Sequence, residues 1–234
     1  MIKKLHLEGK VVSITRVDAE KVTEDIKPGC TLRAINRVLD GEKIVISEEN
    51  CRCRGGNAGF GLKDGLPNIP GGFGHFMSAG RGEGYPAGER IKIDPEIGEQ
   101  MILNQPVDVM DGHHAIELKP YDGSTCDTVT ILVTPDQLSA LIHVFTFRKT
   151  GYDDVIAPMS SGCASIFRIP FGELKKDHPR AVIGNVDVFS RPHYDKNTFF
   201  LTVSGKDFEQ MLEDSKSSVL EAPIFKKVAG RLAD

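Results

Sequence analysis

The order of apolar and polar residues predicts a series of β-strands along the chain. Residues 11–17 alternate between apolar and polar side chains enough to predict a β-strand. Residues 129–133 form a continuous apolar run rich in β-branched side chains, which favours a strand buried on both faces. Shorter apolar runs predict further strands at 43–47, 115–118, 155–158, 181–184 and 198–203.

Other segments place their apolar residues at the spacing of an α-helix. The clearest begins with a capping box formed by Thr134 and Gln137, with Pro135 in the first turn. The apolar residues that follow fall on one face of this helix: Leu138, Leu141, Ile142 and Phe145. Similar patterns predict helices at 30–39, after Ser204, and at 223–232.

Strands and helices are thus intermixed along the chain, and we find no internal repeat. A chain of 234 residues is long enough to bury a hydrophobic core. We therefore predict an α+β (mixed α/β) fold in which residues 1–234 form a single compact domain. We expect it to contain a mixed sheet, flanking helices and a long glycine-rich segment.

The glycine-rich segment covers residues 51–90 and is the least regular part of the pattern. Half of the 24 glycines of the chain lie between Gly55 and Gly88, together with several aromatic residues. Such glycines let the backbone approach a ligand closely and let successive N–H groups form anion-binding nests. Because loops of this length are often functional, we predict that the segment covers a site. A long ordered loop whose turns need glycine is the alternative.

Composition and charge exclude several classes of protein. The net charge of −4 disfavours a dedicated nucleic-acid binder, because neutralising phosphates requires a surplus of basic residues. No stretch approaches the roughly 20 apolar residues of a membrane span, and no apolar segment typical of a signal peptide follows the first residues. We therefore expect a cytoplasmic protein with neither a nucleic-acid nor a membrane partner.

The chain has five cysteines, and an odd number without a signal peptide favours free thiols, metal ligands or a catalytic thiol over disulfides. Backbone donors at glycine turns and helix starts stabilise a thiolate, which is the form that attacks electrophiles and binds metals. Three cysteines have such a context: Cys30 follows a Pro-Gly pair, Cys53 precedes Gly55 and Gly56, and Cys163 follows Gly162.

We predict from this context that the cysteines hold a metal. The expected ligands are Cys30, Cys53 and Cys163, with Cys51 as a further one, and the cofactor is an iron–sulfur cluster or alternatively zinc. The residues expected to contact the cofactor through their backbone are Gly55, Gly56 and Gly162. The spacing itself is a weak signal, because the chain contains no Cys-x-x-Cys. Small, buried and inert cysteines are the alternative.

These motifs resemble those of a known prokaryotic family, domain-of-unknown-function family 169. The resemblance runs in the same order over nearly the whole chain and rests on Cys30-Thr-Leu-Arg-Ala, Cys53-Arg-Gly-Gly, Gly59-Phe-Gly-Leu, Pro135-Asp-Gln-Leu and Gly162-Cys-Ala. It implies that Cys30, Cys53 and Cys163 are the recurrent cysteines, whereas Cys51 and Cys126 have no counterpart. The chain has Cys51-Arg-Cys-Arg where the family has Cys-Pro-Gly-Gly, so either Cys51 or Cys53 is the working residue. The family has no assigned activity and occurs largely in anaerobic bacteria and archaea, which directs the prediction toward redox metabolism.

Three functions fit these residues. The first is a metal-site protein that passes electrons to a redox partner or binds a substrate at an open metal position. The second is a thiol enzyme in which Cys53 or Cys163 attacks an electrophile. The third is a binding module without catalysis, with a pocket for a small organic or anionic ligand. We favour the first, because one shared site explains three separate thiols together. The sequence leaves open whether the protein is an enzyme and whether it forms a homo-oligomer.

Overall fold

The structure is a computed structural model, and it describes residues 1–23, 31–53, 55–78 and 88–232. Its centre is a seven-stranded sheet with the strand order β2-β3-β1-β4-β7-β6-β5. The strand bounds are β1 Val11–Val17, β2 Ile44–Ser47, β3 Ala115–Pro120, β4 Thr128–Val133, β5 Val155–Ile156, β6 Ala181–Gly184 and β7 Phe199–Ser204. Neighbouring strands are antiparallel except β5 and β6, which are parallel. The predicted mixed sheet is confirmed.

Helices cover the sheet and connect its strands. In the described ranges the α-helices are α1 Ala34–Leu39, α2 Gly56–Phe60, α3 Phe73–Met77, α4 Pro95–Leu103, α5 Pro135–Phe145, α6 Gly162–Ile166, α7 Arg168–Glu173, α8 Gly205–Asp214 and α9 Lys226–Ala229. Single 3-10 turns precede α1 at Thr31–Arg33 and α9 at Pro223–Phe225. This arrangement confirms the predicted α+β class.

The central strands carry a hydrophobic core on each face of the sheet. On β4, Ile131 belongs to one core and Leu132 to the other, as the alternation of side chains along a strand requires. The first core packs beneath α1, α2, α6 and α7, and the second beneath α5 and α8. Between β4 and β7, the buried hydroxyls of Thr130 and Thr202 satisfy each other at 2.8 Å. The continuous apolar run of β4 therefore reflects burial on both faces.

The caps predicted from sequence form as expected. The Thr134 hydroxyl accepts a hydrogen bond from the Gln137 N–H, and the Gln137 side chain accepts one from the Thr134 N–H. The Gln137 amide also donates to the Leu5 carbonyl at 2.7 Å, which fixes the start of the chain against α5. At α8, the Ser204 hydroxyl accepts from the Asp207 N–H.

Three of the helices lie where the sequence analysis predicted none. The glycine-rich segment includes α2 and α3, and α6 follows the predicted strand at 155–158. The Ser161 hydroxyl caps α6 by accepting from the Ala164 N–H at 3.3 Å. These helices have five residues each, too few to give a readable apolar period. Within the described ranges, the helices are all too short or too polar to cross a membrane.

Candidate functional site

A cavity of about 450 Å³ lies on the side of the sheet covered by α2 and α6. Its walls are mostly apolar, and two groups of residues line it. One group belongs to the body of the protein and includes Leu32, Cys53, Gly55, Ala58, Gly59, Ser160, Ser161, Gly162, Cys163, Asp187, Phe189, Ser190 and His193. The other group belongs to the helical pair α3–α4 and the chain around it, and includes Pro67, Ile69, Phe73, Phe76, Met77, Ile91, Met101 and Ile102.

Residues 66–78 and 88–104, which contain α3 and α4, form a flap with a small hydrophobic core of its own, built on Phe73, Met77 and Ile102. Gly74 allows the two helices to lie very close, because a Cβ at this position would stand only 2.5 Å from the Pro95 carbonyl oxygen. The flap also touches the body through stacked rings: the centroids of Phe76 and Phe189 are 6.0 Å apart. The cavity is therefore the space between two separately packed units.

Cysteines gather along one side of α2. A Cβ built on Gly56 would lie 2.5 Å from the Cys51 sulfur and 2.9 Å from the Cys53 Cβ, and one built on Gly59 would lie 2.9 Å from the Cys163 Cβ. Residues three apart on a helix are neighbours on its surface, so these cysteines lie along a common side of α2. The two glycines are what let them approach the helix backbone.

The predicted site residues occupy different places. Cys53 and Cys163 line the cavity, and the wall also includes Gly55 and Gly162. Cys51 is buried in the core beneath α2, and Gly56 packs against Cys51 and Cys53 and is not part of the wall.

The metal prediction is not decided by these positions. Cys30 lies outside the described residues. Within the described ranges, no group of three or more His, Cys, Asp or Glu side chains is placed to hold a metal ion. The four-cysteine metal site therefore stays a prediction.

Asp187 is a wall residue that the sequence analysis did not predict. Its carboxylate accepts hydrogen bonds from the Gly162 N–H at 3.0 Å and the Phe189 N–H at 3.1 Å. Only 6% of its surface is exposed, and this burial raises the pKa of Asp187, against the two backbone hydrogen bonds that lower it. The signal available in the sequence was a polar pair, Asn185 and Asp187, directly after a predicted apolar strand.

The turn that carries Asp187 is held rigidly. Asn185 is fully buried and has a left-handed backbone with φ of 61°, which is uncommon for a residue with a side chain. Its amide donates to the Thr198 carbonyl, and its side-chain oxygen accepts from the Ser190 hydroxyl at 2.9 Å. These bonds over-determine a strained conformation, a situation that is common at functional sites.

Arg168 anchors the other side of the wall. Its guanidinium is 1% exposed and donates to the carbonyls of Pro106, Ala58 and Lys63 and to the Asp64 carboxylate. The side chain thus ties α7 to the end of α2 and to the chain on both sides of the flap. The protein uses four of the five N–H groups of this buried cation, so we assign it a positioning role.

Comparison with known proteins adds a family. A family model for DUF169, described as Uncharacterised ArCR, matches residues 1–214. No curated protein and no solved structure matches the chain.

Proposed function

The chain belongs to the DUF169 family, and from its geometry we propose that it binds a small organic molecule in the cavity between the flap and the body. The observation that carries this proposal is the cavity of about 450 Å³ with mainly apolar walls and a few polar groups. Sites for small molecules and cofactors commonly have this size and composition.

Two cysteines of the wall lie beside the space that the bound molecule would occupy. Cys53 is half-buried and Cys163 is buried, and both line the cavity. A ligand in the cavity therefore covers Cys53, whereas Cys126 belongs to the core on the opposite side of the sheet. This difference supplies an internal control for a binding experiment.

The test uses 1-naphthylmethanol, a compact apolar probe, and titration calorimetry. The variant Met159→Trp places a large ring at the wall, where Met159 is 45% exposed, and should weaken binding about tenfold or more by filling the space. The matched control is Leu103→Trp, because Leu103 is equally exposed but is not a wall residue. The affinity of the Leu103→Trp variant for 1-naphthylmethanol should stay unchanged.

A second readout follows the thiols by mass spectrometry. Saturating probe should slow the alkylation of Cys53 by iodoacetamide severalfold and leave Cys126, which is also half-buried, unaffected. Absence of binding, or binding without protection of Cys53, would show that the cavity is not the site. The proposal would then be abandoned.

A metal site remains a second candidate, because two of its predicted ligands, Cys53 and Cys163, lie in the wall of one cavity. Together with Cys30 these thiols would supply the ligands that iron–sulfur clusters and structural zinc use. The test is the content of iron, zinc and acid-labile sulfide in protein purified without oxygen. Cys163→Ser should lose the metal and Cys126→Ser should keep it; equal metal content in both would reject the candidate. The cytoplasmic location and a redox partner likewise stay predictions.

A further inference from the structure

We propose that Asp187 makes the cavity a site for a molecule with an apolar body and a protonated amine head. This inference rests on the proposed function and adds the chemical class of the ligand. It starts from one contrast: a carboxylate stands in a wall that is otherwise mostly apolar.

The carboxylate of Asp187 has acceptor capacity to spare. Each of its oxygens receives one backbone N–H, from Gly162 and from Phe189. An ionised carboxylate offers about four acceptor positions, so about two stay available to a donor in the cavity. The rigid turn around Asn185 fixes this side chain before any ligand arrives.

No described residue compensates the charge of Asp187. Within the described ranges, no Lys, Arg or His forms a salt bridge with this carboxylate, although only 6% of the residue is exposed. Burying an unpaired charge is costly, whereas a buried charge with a hydrogen-bonded partner is tolerated. The raised pKa of Asp187, caused first by burial, agrees with a carboxylate that lacks a cation. A ligand ammonium would supply both the missing charge and the missing donor.

Other head groups fit the wall less well. An anionic head would meet the carboxylate as a like charge. Two serine hydroxyls of the wall already donate within the protein, from Ser190 to Asn185 and from Ser160 to the Ser161 carbonyl. A neutral alcohol could bond to Asp187 but would leave its charge unpaired. Recognition of the amine is therefore expected to depend on this one residue.

Three probes with the same ring and different heads test the inference: 1-naphthylmethylamine, 1-naphthylmethanol and 1-naphthoate. By titration calorimetry at neutral pH, we expect the amine to bind about tenfold or more tightly than the alcohol, and the acid more weakly than both. In Asp187→Asn, the preference for the amine over the alcohol should fall to near one. The control Asp177→Asn removes the same charge from an exposed residue outside the wall and should keep the preference.

The outcomes separate the two proposals. Equal affinities of the amine and the alcohol for the unmodified protein, with Cys53 protected by both, would overturn the amine assignment and leave the binding cavity intact. A preference that persists in Asp187→Asn would also overturn it. Failure of all three probes to bind would reject the cavity itself. Because the probes are compared on the unmodified protein, the test holds even where Asp187→Asn does not fold.

Discussion

For a single residue, Gly59, helix propensity and packing have opposite effects on stability. Alanine at this position would gain about 1 kcal/mol of helix propensity, but its Cβ would meet the Cys163 Cβ at 2.9 Å. That atom is fixed to the backbone of α6, so relief requires a helix shift costing about 1–3 kcal/mol. We expect Gly59→Ala to lower the free energy of chemical unfolding, whereas Gly230→Ala, which has open space, should not. A Gly59→Ala variant with a higher free energy of unfolding would contradict the close packing of α2 against Cys163.

At the element scale, the flap depends on the close contact of α3 with α4. Alanine at Gly74 would bring a Cβ to 2.5 Å from the Pro95 carbonyl oxygen and would separate these helices. We expect Gly74→Ala to raise hydrogen exchange within residues 66–78 and 88–104 and to weaken 1-naphthylmethanol binding severalfold, with exchange in β4 unchanged. Ile97→Ala, an exposed change on α4, is the control. Increased exchange throughout the sheet would show instead that the flap is integral to the core.

Local sequence signals explain which helices and strands could be predicted and which could not. β1 and α5 were predictable because an alternating run and a capping box are local signals of a strand and of a helix start. The helix α7 was not predicted: every residue is buried, so no polar face marks its period, and Pro170 reads as a helix breaker. The helix α4 was also missed, although the Asp94 side chain accepts from the Ile97 N–H as an N-cap and Pro95 follows.

At the scale of the whole molecule, the cavity shows why a site is harder to predict than an element. Local context did identify Cys53 and Cys163, which line the same wall from distant parts of the chain. It could not identify Asp187, whose importance comes from burial beside Gly162, 25 residues away. Nor could it foresee that Cys51 faces the core rather than the cavity, because neighbouring cysteines have similar sequence surroundings.

Stability against acid is also a property of the whole molecule, and Glu173 should contribute to it by joining α7 to the chain that enters β6. Burial alone would raise the pKa of Glu173, but hydrogen bonds from Arg180 and Lys176 lower it overall. A lowered pKa in the fold means that the stabilisation is complete above the unfolded value of about 4.3 and is lost as the pH falls below it.

We expect Glu173→Gln to cost about 1–3 kcal/mol of unfolding free energy at neutral pH. The difference from the unmodified protein should shrink on acidification, because the unmodified protein then loses the same ion pair. In the exposed Glu213–Lys216 pair, Glu213→Gln should cost under about 0.5 kcal/mol at any pH. If both variants lost the same free energy of unfolding at every pH, Glu173 would stabilise the fold through its shape and not its charge.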